Sequence, residues 1–368
     1  MKIRLALCLL FVFVTACSVA TPTLEPASPT GTATLTPVPT GTSTPIATAI
    51  RTPPILPAAF GTARLNPLDT PHAYIPDTCQ YLQDKWSSAN SAPGTVVMAI
   101  MFHSIASEGA TNANQINQGD FEILMNDLHS QGFQAITTKQ LADFLDHNSK
   151  IPPRSVLLVV DDRHYAEYFN GYFRDYWEQW GWPVVNSWIS LDDSIGKAAL
   201  PDNVALEAEG FVDHQAHGVV HNIPISESSS DDYILSELQG SITAIQMNFN
   251  KTPIAFIWPG GGFTLHAAQL ARQSGYKLGF TINPRGPLMF NWVPLSDTTD
   301  PMRPSYMPEG AVNDPLMVLP RYWDTDADAH IDTVRLIGKE AAAYAEQNKA
   351  IELEYYDIVC YPTYGPMP

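Results

Sequence analysis

The sequence predicts an α/β fold in which helices cover a parallel β-sheet that is either open or closed into a barrel. Short apolar runs, such as residues 156–160, alternate along the chain with longer amphipathic stretches, and regular β-α alternation is typical of parallel sheets. The run at 156–160 is apolar throughout, which favours a strand buried on both faces. Asp161 and Asp162 follow one run directly, at the end of a strand where α/β folds place their chemistry.

The predicted strands are short segments rich in β-branched residues and leucine, a composition that suits a buried sheet. Their lengths favour strands over buried helices, which periodicity alone would not distinguish. In chain order they are residues 95–102, 136–137, 155–160, 184–189, 254–257, 278–282 and 318–319. Residues 211–215 lead into the histidines at 214–221.

The predicted helices lie between these strands and are identified by an apolar face or by end signals. The first places Phe121, Leu124 and Leu128 on one face. Ser230 is a plausible N-cap for a later helix, and Gly275 marks the end of another. In chain order the helices are residues 120–130, 138–147, 165–180, 231–248, 265–274 and 332–348.

The N-terminal residues have the pattern of a secretory signal. Lys2 and Arg4 precede an apolar core at residues 5–14 that is too short to span a bilayer as a mature helix. The Val-Thr-Ala-Cys sequence ending at Cys17 resembles a bacterial lipobox, which implies cleavage before this cysteine and lipidation of its thiol. The alternative is an ordinary signal followed by an incidental cysteine. We expect a signal peptide at 1–16 and a protein held by lipid outside the cytoplasm, on the bacterial cell membrane.

The next segment has the composition of a linker. Residues 18–66 are mostly Thr, Pro, Ala, Ser and Gly with almost no charge. Such a segment does not bury enough apolar area to offset the entropy of ordering it. We therefore predict a lipidated, Pro-stiffened tether at 17–66 and a single catalytic domain at 67–368.

The charge balance restricts the partners of this chain. It has 38 acidic and 20 basic residues, for a formal net charge of -18. A surface this acidic is a poor match for a nucleic-acid backbone, so nucleic acid is not an expected partner. Contact with the membrane is expected only through the lipid anchor, and the oligomeric state is left open.

The cysteines suggest one disulfide bond. Of the four, Cys8 leaves with the predicted signal and Cys17 would carry lipid. Cys79 and Cys360 remain, near the two ends of the folded part, and in an exported protein they could pair. The alternative is a pair of unrelated buried thiols. A bridge would contribute about 5 kcal/mol in the chain-entropy model.

A pair of histidines and a carboxylate suggest a metal site. His217 and His221 are four residues apart, and on a helical turn this spacing puts both imidazoles on one face. Two imidazoles and one carboxylate leave a coordination position open for water, which is the pattern of a catalytic zinc. The alternatives are a helix cap for Asp161 and Asp162 and a structural role for the histidines.

Four segments resemble, in order and spacing, the motifs of the polysaccharide deacetylases, the NodB-homology fold of carbohydrate esterase family 4. The opening Met-Phe-His-Ser-Ile is similar to the start of one exported branch of that family. The resemblance covers residues 94–321 and implies an irregular (β/α) barrel with about seven parallel strands. The matching segments are residues 101–105, Val-Val-Asp-Asp-Arg at 159–163, His-Gly-Val-Val-His at 217–221 and Ile-Trp-Pro-Gly-Gly at 257–261.

The resemblance also implies roles for individual residues. Asp162, His217 and His221 correspond to the metal ligands, and Asp161 corresponds to the general base. The cofactor implied is a divalent transition metal. Zinc is the best fit, although cobalt, nickel or iron would accept the same ligands. The implied substrate is an acetylated polysaccharide.

Two departures from the family pattern concern charged residues. Arg163 stands where the family has glycine, and Ile257 stands where the family has an arginine that pairs with the base. We expect Arg321 to replace that arginine, because it follows a predicted short strand and could reach the catalytic rim. Arg163 is the alternative.

The general acid has no clear match to the late histidine of the family. His103, His214 and His330 are candidates by residue type. We favour His103, because it ends a predicted strand and so would lie at the catalytic rim. His214 is assigned instead to substrate contact.

The segment after the strand 254–257 is expected to form a wall of the substrate site. This prediction covers Trp258, Pro259, Gly260 and Gly261. The alternative is a plain glycine turn.

The predicted function is metal-dependent removal of N-acetyl or O-acetyl groups from a cell-surface or extracellular polysaccharide. The alternative is a catalytically impaired module that binds glycan at the cell surface, which the missing family arginine favours and the intact ligand triad opposes. A third reading is a different amide or ester hydrolase built on the same metal site.

Overall fold

The computed structural model describes residues 51–221, 223–301 and 303–368. The predicted signal peptide and Cys17 lie outside the described residues. Within the described ranges, no helix is both long enough and apolar enough to cross a membrane.

The compact unit begins at Arg51, whereas the sequence predicts a tether that continues to residue 66. The ring of Phe60 packs against Trp292 and Tyr344, with centroid distances of 5.9 and 5.7 Å. The indole nitrogen of Trp292 donates to the carbonyl of Phe60 at 2.9 Å. The prediction was based on the average composition of this proline-rich segment. Average composition does not show that single apolar residues, such as Phe60, pack against the domain.

A parallel sheet forms the centre of the molecule. Its strand order is β10-β9-β8-β7-β6-β2-β12, and β5 pairs beside β6. Every pairing in this sheet is parallel. Two small two-stranded sheets, β1-β11 and β3-β4, lie apart from it. The strands are β1 (Asp69–His72), β2 (Val96–Phe102), β3 (Ser104–Ala106), β4 (Gln115–Asn117), β5 (Gln134–Ala135), β6 (Arg154–Val160), β7 (Val184–Trp188), β8 (Val212–Ala216), β9 (Ala255–Ile257), β10 (Leu278–Phe280), β11 (Val293–Ser296) and β12 (Tyr322–Trp323).

A short segment near the C-terminus joins the two edges of the central sheet. Leu319 forms a parallel bridge with Phe280 of β10. A few residues later, Tyr322 and Trp323 of β12 pair with β2 at the opposite edge. The predicted α/β class, with a curled parallel sheet of about seven strands, is confirmed.

Both faces of the central strands are buried, as their uninterrupted apolar runs predict. Val97 and Ala99 of β2 belong to one apolar cluster, and Val96 and Met98 belong to another. Because side chains alternate along a strand, these clusters lie on opposite faces of the sheet.

Helices surround the sheet, and two of them, α3 and α8, have the predicted bounds. The predicted helix 165–180 is divided at Phe173 into α4 and α5. The last long helix, α9, extends beyond its prediction in both directions and has 32 residues. The helices are α1 (Thr78–Trp86), α2 (Gln118–Ser130), α3 (Thr138–His147), α4 (Ala166–Tyr172), α5 (Arg174–Trp180), α6 (Ser194–Ala208), α7 (Asp231–Phe249), α8 (Leu265–Ser274), α9 (Asp324–Tyr355) and α10 (Tyr361–Tyr364).

Helix α6 was not predicted. It contains Pro201 in its interior, and proline normally argues against a helix because it lacks a backbone donor. Its start is stabilised by Asp193, whose side chain accepts from the backbone N–H of Gly196 at 2.7 Å. The tertiary context therefore overrides the local signal.

A disulfide bond joins the two ends of the compact unit. Cys79 on α1 is bonded to Cys360, with a Cα–Cα distance of 5.3 Å and a sequence separation of 281. Leu82 and Tyr356 are buried with Cys360 in a small apolar cluster. The bond fastens α1 to the C-terminal end of the chain.

Candidate active site

Polar residues meet at the edge of the sheet where the parallel strands end. Asp161 and Asp162 follow β6 directly, His217 follows β8, and His103 follows β2. Arg321 precedes β12 in the segment that joins the sheet edges. Parallel strands bring their carboxyl ends together, so residues distant in sequence become neighbours here.

Two of these side chains, together with His221, form a potential metal site. Candidate ligand atoms of Asp162, His217 and His221 all lie within 4.8 Å of one another. The Nε2 atom of His221 is 3.2 Å from Asp162 Oδ1, and that of His217 is 3.9 Å from it. The structure thus brings the predicted ligands together, and two imidazoles with one carboxylate suit a divalent transition metal.

The surroundings of His217 favour a neutral imidazole. Its Nδ1 donates to the carbonyl of Ile257 at 2.8 Å, which leaves Nε2 free of a proton and directed toward Asp162. Burial lowers the pKa of His217 to about 4. The imidazole is therefore neutral at pH 7, which is the form that binds metal.

The two histidines do not lie on a helical turn, so that part of the prediction is wrong. Residues 217–221 are not helical, and Gly218 and His221 have left-handed φ values of 76° and 65°. The imidazole rings nevertheless approach to 4.5 Å between centroids. The loop differs from a helix because its N–H groups donate to the side chain of Glu237.

Asp161 is a buried carboxylate held by a guanidinium. It is 1% exposed, and Arg321 binds it with two hydrogen bonds, Nη1 to Oδ1 at 2.5 Å and Nη2 to Oδ2 at 2.9 Å. Burial raises the pKa of Asp161, but the charge and hydrogen bonds of Arg321 outweigh burial and hold it well below its usual range. Asp161 is therefore ionised at neutral pH.

Arg321 occupies the place expected of the missing family arginine. Its side chain is fully buried, and its Nε donates to the carbonyl of Thr281 at 2.8 Å. The alternative residue, Arg163, turns away and binds both carboxylate oxygens of Asp193 at 2.8 and 3.0 Å. Ile257 belongs to the core.

The histidines suggested by residue type occupy different environments. His103 lies beside the base, with Nε2 3.8 Å from Asp161 Oδ2, and its ring stacks on Trp323. His330 lies on α9 and packs against Tyr322. Of these two, only His103 lies beside Asp161.

His214 does not reach the site, contrary to the expectation that it contacts substrate. It is 0% exposed, and its ring nitrogens bind Glu207 at 2.9 Å and Asn203 at 3.0 Å. Its ring also stacks on Phe249 of α7. The strand register turns this side chain into the layer between the sheet and the helices.

The segment after β9 supports the site from within the core and does not form an open wall. Trp258 is 0% exposed, and its indole donates to the carbonyl of Met317 at 2.8 Å. Pro259 and Gly261 are buried as well, and only Gly260 is exposed. Of the four residues expected to contact sugar, only Gly260 is therefore open to solvent.

Two polar residues on β7 were not predicted as part of the site. Ser187 donates to Asp161 Oδ1 at 2.9 Å, and Asn186 donates to the carbonyl of Asp162 at 2.8 Å. The second bond helps to hold Asp162 in its left-handed conformation, with φ 68°. A pair of polar residues inside an otherwise apolar strand was the available signal.

Comparison with known proteins relates this chain to polysaccharide deacetylases. No family model matches the chain. Over 193 residues it is 25% identical to YxkH of Bacillus subtilis strain 168, a protein provisionally named as a polysaccharide deacetylase. The aligned part covers 50% of this chain and 64% of that relative, so the chain spans less than two thirds of the relative's length.

A solved structure shows the same fold. The Streptococcus pyogenes deacetylase PplD, in complex with acetate, matches with a TM-score of 0.52 at 20% identity, covering 65% of this chain and 98% of its own. IcaB from Ammonifex degensii has a TM-score of 0.49 at 13% identity, covering 66% and 97%. Taken with the matching motifs, the comparisons support homology of this chain with the polysaccharide deacetylases.

Proposed function

We propose that this chain is a metal-dependent deacetylase that removes N-acetyl or O-acetyl groups from a polysaccharide. One observation carries the proposal. A buried carboxylate, Asp161, is kept ionised by Arg321 immediately beside three converging side chains with metal-ligand chemistry. A general base next to a hydrolytic metal site is the arrangement that amide and ester hydrolysis requires.

Each side chain has a role in this reaction. A divalent cation bound by Asp162, His217 and His221, with zinc as the best fit, supplies Lewis acidity that polarises the acyl carbonyl and lowers the pKa of water. Asp161 accepts a proton from the attacking water, while Arg321 holds the carboxylate in place.

His103 is the proposed acid that protonates the leaving nitrogen or oxygen. Its Nε2 is 3.8 Å from the carboxylate of Asp161, so the acid and the base can act on the same acyl group. Its Nδ1 is buried and has no hydrogen-bond partner among the described residues. The side chain is 18% exposed, which leaves its ring within reach of a bound substrate.

The glycan-binding alternative loses its main argument. That argument was the missing family arginine, and Arg321 now supplies a guanidinium to the base from another part of the chain. Catalysis is therefore the better reading of the site.

The proposal extends to location. The signal-like N-terminus and the lipobox-like sequence at Cys17 favour an exported protein that lipid anchors to the outer face of the bacterial cell membrane. The disulfide between Cys79 and Cys360 supports an oxidising compartment, because such bonds are rare in the cytosol. The substrate proposed is accordingly a cell-surface or extracellular polysaccharide.

Metal analysis combined with acetate release tests the proposal. The purified chain is incubated with chitin oligomers, peptidoglycan and acetylated xylan. We expect about one transition metal per chain and acetate from at least one substrate. Asp161→Asn should keep the metal and lose turnover, since an amide does not accept the proton. Asp192→Asn, at an exposed carboxylate on the same edge, is the matched control. Bound metal and glycan binding without acetate release would favour the binding module instead.

A further inference from the structure

A buried carboxylate faces the loop that carries both histidine ligands. Glu237 lies on α7 and is 1% exposed. We propose that Glu237 is a positioning residue that shapes this loop so that His217 and His221 converge on Asp162. The inference rests on the proposed metal site and identifies a residue that positions two of its ligands.

Three consecutive backbone N–H groups donate to this one carboxylate. Oε2 accepts from Val219 at 2.8 Å, from Val220 at 3.2 Å and from His221 at 3.4 Å. Oε1 accepts a second contact from Val220 at 3.0 Å. Successive N–H groups that converge on one anion form a nest, which exists only while the backbone keeps the conformation that aims them together.

The loop requires stabilising hydrogen bonds because part of its backbone has an unfavourable conformation. His221 has a φ of 65°, a region that residues other than glycine rarely adopt. Hydrogen bonds to an ionised acceptor are roughly twice as strong as neutral ones. Glu237 therefore offsets the strain at the residue that must present its imidazole to the metal.

Two glycines allow the close packing of the loop against Glu237 and α7. A Cβ atom on Gly218 would lie 2.4 Å from Glu237 Oε2, and one on Gly240 would lie 2.8 Å from a methyl group of Val219. Both glycines thus allow the loop to lie against α7. Close approach at two points indicates a fixed loop position rather than an incidental hydrogen bond.

The charge of Glu237 is compensated by backbone groups. Glu237 is buried, yet no lysine, arginine or histidine among the described residues forms an ion pair with it. Buried charges are costly unless they are compensated. Here the loop N–H groups provide the compensation, and a cation held by the adjacent histidines would add to it.

The test compares two buried carboxylates. Glu237→Gln leaves one oxygen but puts an amide donor against the loop N–H groups. Glu352→Gln is the matched control, since Glu352 is 4% exposed and binds Lys85 and Trp86 away from the site. Zinc affinity is measured by chelator competition. The geometry of the site is followed by the visible absorption spectrum of the cobalt-substituted protein, and the stability of the metal-free protein by thermal unfolding.

We expect Glu237→Gln to weaken zinc binding by about 10- to 100-fold, as loss of outer partners of metal ligands does, and to change the cobalt spectrum. Glu352→Gln should lower the unfolding temperature yet leave zinc affinity and the spectrum unchanged. Unaltered zinc affinity and cobalt spectrum in folded Glu237→Gln would overturn the positioning role while leaving the proposed function standing. A wild-type chain that binds no metal would instead remove the proposed function itself.

A second variant covers the case in which Glu237→Gln does not fold. Glu237→Asp keeps the negative charge and every ligand but withdraws the carboxylate from the loop N–H groups by one methylene. We expect a folded protein with weaker zinc binding and an altered cobalt spectrum. Wild-type affinity and spectrum in this variant would also overturn the inference.

Discussion

Replacing Arg321 with methionine tests whether Asp161 depends on a single guanidinium for its charge. Methionine keeps much of the volume of arginine but removes both hydrogen bonds, which are 2.5 and 2.9 Å long. Both partners are almost fully buried, so water does not replace the lost contacts. Removing one partner of a buried ion pair costs about 3–5 kcal/mol of unfolding free energy. We expect a loss in that range at pH 7 in metal-free protein.

The cost should depend on pH. In the wild type, Arg321 holds the pKa of Asp161 below its unfolded value of about 3.9. The stability from the pair is therefore fully present above that value and is lost as pH falls through the folded pKa. In Arg321→Met, burial acts without the guanidinium and raises the pKa of Asp161. Protonation then relieves the buried charge, so the difference between the two proteins shrinks as pH falls from 7 to 4.

Urea unfolding at pH 7, 5 and 4 in the presence of a chelator measures both effects. The double variant Asp161→Asn/Arg321→Met should lose less stability than the sum of the two single variants. Each single variant leaves one buried charge without its partner, whereas the double variant removes both charges. Arg174→Met is the surface control, since its partner Glu209 is 45% exposed, and we expect a cost below about 1 kcal/mol. A cost for Arg321→Met that is as small as this control, or that does not change with pH, would refute the reasoning.

Other variants address the remaining features of the site and the fold. Asp162→Ala should abolish stoichiometric zinc binding, and metal analysis showing one retained ion would exclude it as a ligand. His103→Gln should lower kcat on N-acetyl sugars by about 10²–10⁴-fold and affect p-nitrophenyl acetate much less, because that leaving group needs no proton; equal losses on both would argue against an acid role. Replacing Cys79 and Cys360 with serine should lower the unfolding free energy by about 5 kcal/mol, measured by urea titration, and an unchanged midpoint would contradict a contribution from the bridge. Burial raises the pKa of Asp324 to about 7, so its ionisation opposes folding at higher pH. Asp324→Asn should therefore stabilise the protein at pH 8 by up to about 4 kcal/mol but change little at pH 4, and a pH-independent effect would show that burial is not the cause.

The fold class was predictable because the apolar runs are short, uninterrupted and regularly spaced. Residues 156–160, for example, have the pattern of a strand covered on both faces, and β6 is such a strand. Helix α6 was not predictable, since Pro201 and the weak periodicity around it argue locally against a helix. Its stability comes from tertiary packing and from the cap at Asp193.

Those parts of the site that depend on residue type and spacing were predictable from the sequence. The parts that depend on the orientation of a side chain were less predictable. Asp162 and His217 converge as the motifs imply. The position of His214 depends on which face of β8 it occupies, and Trp258 is buried because a distant carbonyl, that of Met317, receives its indole N–H. The conformation of the histidine loop depends on Glu237, which is distant in sequence and carries no motif.

The segment that joins the sheet edges is synthesised after the other residues of the site. Arg321 lies 160 residues after Asp161, whereas Asp162 and both histidines are already present by residue 221. As the chain emerges from the ribosome, the three proposed metal ligands are therefore synthesised long before the guanidinium that pairs with Asp161. A chain that stops short of residue 321 contains all three ligands but leaves Asp161 unpaired and the sheet edges unjoined. The Arg321 segment thus joins the sheet edges and supplies the counter-charge of Asp161 together, so a chain that ends before residue 321 lacks both.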